Sequence, residues 1–319
     1  MIERPPDISI VIPARNEATN LRIILPELPD VHEVILVDGR STDSTVEVAR
    51  RHHPGIKVLQ QTRRGKGNAL VCGFAVATGD IVVMFDADGS ADPAEIPRFV
   101  RALTDGADYA KGTRFARSGA DTCGSDDISL LRQAGNAGLN SVANLMFATS
   151  FSDLCYGYNA FWRQILPQLK LPPVQVPDLP ADKMLWGDGF EIETVLSCRV
   201  AARRLRVTEV PSLERRRING DTNLRTFADG SRVLRTIISE RITAGPRSRR
   251  TRQHPLPAGV PANDTIAPGR HPADALLGRA VQLPHHSADL TSGPSVGPRS
   301  RRHWSRLAHR DRGVAQDAS

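Results

Sequence analysis

The stretch Gly79-Asp80-Ile81-Val82-Val83-Met84-Phe85-Asp86-Ala87-Asp88-Gly89-Ser90 decides how the rest of the chain is read. Five apolar residues bounded by turn formers describe a buried strand. This one delivers two carboxylates, one residue apart, into a glycine-bearing turn. Like charges placed together at a strand end have a use if they hold a hard divalent cation through oxygen donors. Such an ion would in turn hold a diphosphate. Capping of the next helix is the simpler use for these acids, but Asp92 directly before Pro93 already supplies the usual order of N-cap and first helical residue.

Working outward, the runs Ile8–Ile12, Glu33–Val37 and Ile56–Leu59 join Ile81–Phe85 as short strands rich in Ile and Val. Helical segments fall between them at about Ala18–Leu28, Ser44–His52, Lys66–Ala77 and Pro93–Leu103. This alternation predicts an α/β fold, a mainly parallel sheet flanked by helices on both faces. Functional residues then belong at the carboxyl ends of the strands, where open α/β sheets form their ligand crevice. Three of those ends carry polar chemistry: Pro13-Ala14-Arg15-Asn16-Glu17, Asp38-Gly39-Arg40-Ser41-Thr42-Asp43-Ser44-Thr45, and the Asp86/Asp88 pair. A nucleotide-sugar site needs an acceptor for base or ribose, a metal for the diphosphate, and glycine where backbone approaches ligand. All three parts are present.

Two other segments are weighed the same way. Arg63-Arg64-Gly65-Lys66-Gly67-Asn68 opens a helix but lacks the spacing and closing Ser or Thr of an ATPase phosphate loop. A helix N-terminus with Lys66 beside it can still face a diphosphate. The spacing of Leu131, Leu139, Val142, Leu145 and Met146 predicts a helix over Leu130–Phe147 packed on the core, and Val233–Ile242 reads similarly.

The net charge of +7 suggests a nucleic-acid partner until its distribution is inspected. Residues 244–319 hold twelve Arg against five Asp, a surplus equal to the charge of the whole chain, so residues 1–243 are electrically balanced. The same segment holds nine of the 23 prolines and six of the nine histidines, with Trp304 its single aromatic residue. It buries too little apolar surface to offset ordering and is expected to be a disordered basic Pro/Arg/His-rich tail after a domain spanning 1–243. Its basic clusters suit phosphate of nucleic acid or an anionic membrane surface, but a solvated appendage explains them as well and no specific nucleic acid is expected. The four cysteines show no metal-ligand spacing, and no apolar run approaches bilayer-spanning length. A cytoplasmic protein, at most peripheral at the inner face of the membrane, is expected.

Val11-Ile12-Pro13-Ala14-Arg15-Asn16-Glu17, Val37-Asp38-Gly39-Arg40-Ser41-Thr42-Asp43 and Asp86-Ala87-Asp88 resemble the family 2 glycosyltransferases of the GT-A fold. Gly112-Thr113-Arg114-Phe115, the stretch Asp153 to Phe161, Gly189-Phe190-Glu191-Ile192-Glu193, and Val210-Pro211 through Arg217 to Leu224 are similar to the polyprenyl-phosphate branch, the dolichyl-phosphate mannose synthase type. The resemblance spans about residues 7 to 243. It implies that Pro13, Arg15, Glu17 and Asp38 line the base and ribose pocket, and that Asp86 and Asp88 bind Mg²⁺ or Mn²⁺ at the donor diphosphate. Ser90 stands where the branch often places another polar residue on the metal side. Arg114 and Arg132 match arginines facing the acceptor phosphate, and Arg217 lies in the segment that closes over the donor. Two departures stand out: the usual Asp-Asp-Gly-Ser is Asp38-Gly39-Arg40-Ser41, and a lysine common near the closing segment is Asn223.

The implied reaction is an inverting, metal-dependent transfer of a sugar from a UDP- or GDP-sugar to polyprenyl phosphate. The leaving diphosphate gathers negative charge as the anomeric bond stretches, and cations placed there favour the transition state over the ground state. An ionised lipid phosphate needs no general base, and a guanidinium fork such as Arg114 or Arg132 binds it bidentately. A small hydroxyl acceptor would need a carboxylate; Asp188 is the first candidate and Asp153 the second, although Asp188 also suits the cap of a helix near Phe190. A non-catalytic sugar-nucleotide binder is the remaining alternative.

Overall fold

Among the described residues the chain builds nine strands: β1 (Ile8–Ala14), β2 (Glu33–Asp38), β3 (Lys57–Gln60), β4 (Ile81–Met84), β5 (Tyr109–Thr113), β6 (Gly124–Ser125), β7 (Asn159–Trp162), β8 (Val207–Pro211) and β9 (Leu213–Glu214). The computed structural model describes residues 4–115, 123–125, 130–219 and 226–245. Seven strands form one sheet in the order β3-β2-β1-β4-β7-β5-β8, and β6 pairs with β9. Neighbours are parallel except β7, which runs against both β4 and β5. The first four strands lie within a residue or two of their expected bounds. The later ones are too short and too polar to announce themselves.

Eight helices complete the described structure: α1 (Ala18–Ile24), α2 (Thr45–His52), α3 (Lys66–Val76), α4 (Ile96–Thr104), α5 (Leu130–Phe147), α6 (Leu166–Leu169), α7 (Ile192–Ala202) and α8 (Thr226–Thr243). Because successive side chains of a strand point to opposite faces, β1 serves two cores. Ile8, Ile10 and Ile12 join Leu21, Val48 and Phe99 from α1, α2 and α4. Val11 joins Leu70 and Phe74 of α3 and Ile192 and Leu196 of α7. Helices therefore cover both faces, and the polar strand ends are left at one rim.

Asp92 caps the 3-10 turn Pro93–Glu95 that leads into α4, accepting a hydrogen bond from the Ala94 amide at 3.0 Å. α5 packs as expected through Ala143 and Phe147, with Leu139, Val142 and Met146 beside them. Leu145 does not belong to that face: although it follows Val142 by three, it is two residues from both Ala143 and Phe147, which turns it away from them, and it is 83% exposed. α8 is longer than its expected span and buries Ile237, while Leu234, Ile238 and Ile242 are exposed.

Candidate active site

Asp86 and Asp88 leave the end of β4 at the centre of that rim. Lys66, the first residue of α3, places Nζ 2.7 Å from Asp86 Oδ1 and 2.7 Å from Glu193 Oε1 in the first turn of α7. Burial alone would lower the Lys66 pKa, but the two carboxylates outweigh it and raise the pKa above its usual range. Asp88 is buried; its Oδ1 accepts from the Ser90 amide at 3.0 Å and from Ser90 Oγ at 2.7 Å, and its Oδ2 lies 3.1 Å from Arg217 Nη2. Each member of the acidic pair thus meets one protein cation.

Two glycines shape this corner. Gly89 has φ +78°, a left-handed conformation that favours glycine, and a Cβ there would lie 2.5 Å from Ile218 Cδ1, so the Ile218 side chain rests directly on the acidic turn. That segment is strapped down by the Arg215 amide on Ser90 O (2.9 Å) and the Ile218 amide on Asp88 O (3.2 Å). A Cβ on Gly157 would sit 3.0 Å from Asp86 Oδ2, 3.2 Å from Lys66 Nζ and 3.3 Å from Glu193 Oε1. Its absence leaves a cradle beside all three groups. Asp86 at this cradle, with Asp88 and the Ser90 hydroxyl two and four residues on, is a donor set that fits Mg²⁺ or Mn²⁺, which accept one or two carboxylates and complete their shell with water and phosphate oxygens. Among the described residues no three His, Cys, Asp or Glu side chains gather into a complete protein cage.

The loops after β1 and β2 lock together beside the acidic pair. The Asn16 amide donates to Ser41 Oγ at 2.9 Å, the Thr42 amide donates to Asn16 Oδ1 at 2.8 Å, and Asp43 accepts from the Ala18 amide at the start of α1. Asp38 is buried and accepts from the Arg40 and Ser41 amides at 3.1 and 3.2 Å. Pro13 is half-buried in β1 and Arg15 is exposed. Burial raises the Glu17 pKa, and the charges of Asp88 and Asp86 add to it against the opposing Asn20 hydrogen bond and Arg217. Glu17 is therefore within electrostatic reach of the acidic pair. Arg40, at the position that the resembling pattern gives to glycine, adopts φ +61°, a left-handed turn that L-residues rarely take.

Arg114 is held in a fork by Asp153, with Nε–Oδ2 2.7 Å and Nη2–Oδ1 3.0 Å, while Nη1 meets Glu214 Oε2 at 2.9 Å. Its guanidinium also lies 4.9 Å from the Tyr156 ring centroid. Burial opposes its charge, but Asp153 and Glu214 outweigh that and raise its pKa. The Arg132 side chain and Asn223 lie outside the described residues.

Asp188 is fully buried and gripped by Arg63, with Nε–Oδ2 2.8 Å and Nη2–Oδ1 3.0 Å, while the Leu185 amide donates to Oδ2 at 2.7 Å. Asp188 is thus shut off from solvent with its charge balanced inside the fold, and α7 begins at Ile192 with Glu191 as its N-cap residue. Arg63 also donates to the carbonyls of Val174 and Pro173, at 2.8 and 2.9 Å, which ties the proline-rich connector to the loop before α3. Gly65 and Gly67 let the Gly187-Asp188 backbone come close, since Cβ atoms there would fall 2.0 Å from Asp188 O and 1.9 Å from Gly187 O.

Sequence reasoning passed over Arg63, Lys111, Gly157 and the ion-pair role of Glu193. Lys111 is wholly buried in β5, donates to Tyr156 O at 3.3 Å and has its pKa lowered by burial. A charged residue inside a short strand was the available signal for it. Glu193 and Arg63 find their partners far away in sequence and carry no local signature.

Residues 9–169 match the model for glycosyl transferase family 2. The chain belongs to that family. This glycosyltransferase is 30% identical over 252 residues to glycosyltransferase AglJ of Haloferax volcanii, covering 76% of this chain and 74% of that protein. It is 26% identical over 236 residues to a dolichyl-phosphate hexose transferase of the same organism, covering 73% and 92%. The second of these relatives carries dolichyl phosphate in its name. Among solved structures it resembles Mycobacterium tuberculosis glucosyl-3-phosphoglycerate synthase in complex with Mn²⁺, UDP and phosphoglyceric acid, with a TM-score of 0.54, 23% identity, and coverage of 74% and 78%. That likeness shows the GT-A fold.

Proposed function

We propose that this glycosyltransferase moves a sugar from a UDP- or GDP-sugar to polyprenyl phosphate with inversion, using Mg²⁺ or Mn²⁺ held by Asp86 and Asp88. The observation that carries the reading is the acidic pair at the sheet rim with Lys66 and Arg217 against it. When bound, the metal supplies Lewis-acid stabilisation of the leaving diphosphate. Lys66 and Arg217 add fixed positive charge at the same place, where it matters more as the bond to the leaving group stretches. Glu17 and Asp38, on the two interlocked loops, are the acceptors for base and ribose, with Pro13 and Arg15 flanking them. Ser90 orients Asp88 through its two hydrogen bonds.

Acceptor choice is supported by what the carboxylates are doing. Asp188 and Asp153, the two residues considered as general bases, are each committed to an arginine. A phosphate acceptor, already ionised near neutral pH, needs neither. Arg114 stands at the end of β5 with its Nε/Nη2 fork on Asp153 and one Nη1 proton on Glu214, so it offers the acceptor phosphate its remaining Nη protons, with Arg132 beside it in this reading. A lipid acceptor places the working protein at a membrane surface, peripherally at the inner face; among the described residues no helix is long and apolar enough to cross one.

The test is product formation by purified protein with a panel of UDP- and GDP-sugars and Mn²⁺, with polyprenyl phosphate, with 3-phosphoglycerate, or with neither. Product with the lipid alone is expected. Product with phosphoglycerate alone would reassign the acceptor, and no product with any donor would favour a binding protein.

A further inference from the structure

The cations on Asp86 and Asp88 stand where a divalent ion has to go. An ion arriving alone must displace Lys66 and Arg217 and gains only two carboxylates, since among the described residues no third acidic or imidazole ligand joins them. A diphosphate changes that balance. Its oxygens complete the coordination of the ion and offer the displaced cations a new anionic partner.

The attachments of the two cations suit such an exchange. Lys66 meets Glu193 as closely as it meets Asp86, both at 2.7 Å, and Glu193 is buried in the first turn of a core helix. The start of α3 is itself pinned, with the Gly67 amide on Gly189 O at 3.2 Å and the Asn68 amide on Asp188 O at 3.1 Å. When Asp86 is taken by metal, Lys66 therefore stays at the rim, beside the cradle left by Gly157. Arg217 rides on the closing segment, which the Arg215 and Ile218 amides tie to the acidic turn.

We propose that Lys66 and Arg217 are placeholders that make metal and nucleoside diphosphate bind as a unit, and that Glu193 is the positioning residue that keeps Lys66 in place through the exchange. The proposal rests on the donor and metal reading above. Linkage then requires that metal tightens nucleotide binding by the same factor by which nucleotide tightens metal binding.

The experiment is titration of Mn²⁺, followed by the electron paramagnetic resonance signal of the free ion, into wild type, R217Q and K66M, each alone and with saturating UDP or GDP. Wild type is expected to bind Mn²⁺ about tenfold more tightly or better with one nucleotide present. R217Q and K66M should bind Mn²⁺ alone several-fold more tightly than wild type and lose most of the nucleotide enhancement. Calorimetry on E193Q supplies the second arm: affinity for the nucleoside diphosphate should fall about tenfold while affinity for the parent nucleoside holds, a split that loss of fold would not give. Unchanged Mn²⁺ affinity in both R217Q and K66M, or equal losses of nucleoside and diphosphate in E193Q, would overturn the proposal. Wild type that binds neither UDP nor GDP with Mn²⁺ would instead remove the donor reading itself.

Discussion

Arg63 and Asp188 face each other through two parallel hydrogen bonds, 2.8 and 3.0 Å long, across 125 positions of sequence, with 3% and 0% of their side chains exposed. Breaking such a pair strands a charge in the interior. Asp188→Asn is expected to lower stability by about 3 kcal/mol, read as a shift of the urea midpoint. At a temperature where the variant is folded, kcat should remain within a few-fold of wild type. A loss of kcat by orders of magnitude in folded protein would restore Asp188 as a base.

Asp88 gives the opposite pattern. Asp88→Asn keeps its size and its Ser90 hydrogen bonds within reach but removes the charge that faces Arg217. Turnover with Mn²⁺ and donor should fall by about two to three orders of magnitude, with the thermal midpoint changed little. Retained turnover would show that the acidic pair is not the diphosphate's anchor.

Glu33 makes the acid limb of stability predictable. Burial would raise its pKa, but hydrogen bonds from Lys57, Ser9 and Thr78 outweigh that and hold it at about 2, against 4.5 for an ordinary glutamate. A depressed folded pKa contributes stability that is full above the unfolded value and is lost as pH falls from about 4.5 toward 2. Glu33→Gln should be less stable near neutrality and show a flatter loss of stability over that acid range in urea titrations. Parallel curves for the two proteins would remove Glu33 as a source of acid sensitivity.

Arg40 tests the displaced glycine of the second loop. An L-residue at φ +61° carries a penalty that glycine avoids, partly offset by the greater freedom glycine adds to the unfolded chain. Arg40→Gly is expected to stabilise by about 0.5–1 kcal/mol, measured by thermal unfolding. Destabilisation would mean that the Arg40 side chain contributes more than its backbone costs.

What was legible in the sequence follows from range. Strands β1, β2 and β4 show themselves because consecutive Ile and Val residues are buried on both faces, and Asp86 and Asp88 show themselves because they end such a run. Strand β5 hides behind Lys111 and Gly112, and β7 is four residues long, so both depend on pairing partners distant in sequence. The same division holds in the site. Lys66 is visible at its helix start, whereas its tie to Glu193 requires α3 and α7 to be packed on the same face of the sheet. Leu145 misleads in the other direction, because an apolar residue near a helical stripe reads as buried until the neighbouring helices are in place.

The reversed direction of β7 has a consequence for how the enzyme can change. Asn159 pairs with Met84 at the end of β4, so the residues entering β7, Tyr156 to Tyr158, arrive at the same mouth that the parallel strands reach by leaving. That three-residue stretch reaches both corners of the rim, with Gly157 beside Asp86 and the Tyr156 ring 4.9 Å from the Arg114 guanidinium. A change at Gly157 is therefore felt at Asp86 and Lys66, and a change at Tyr156 at Arg114, so the two ends of this stretch cannot vary without regard to each other.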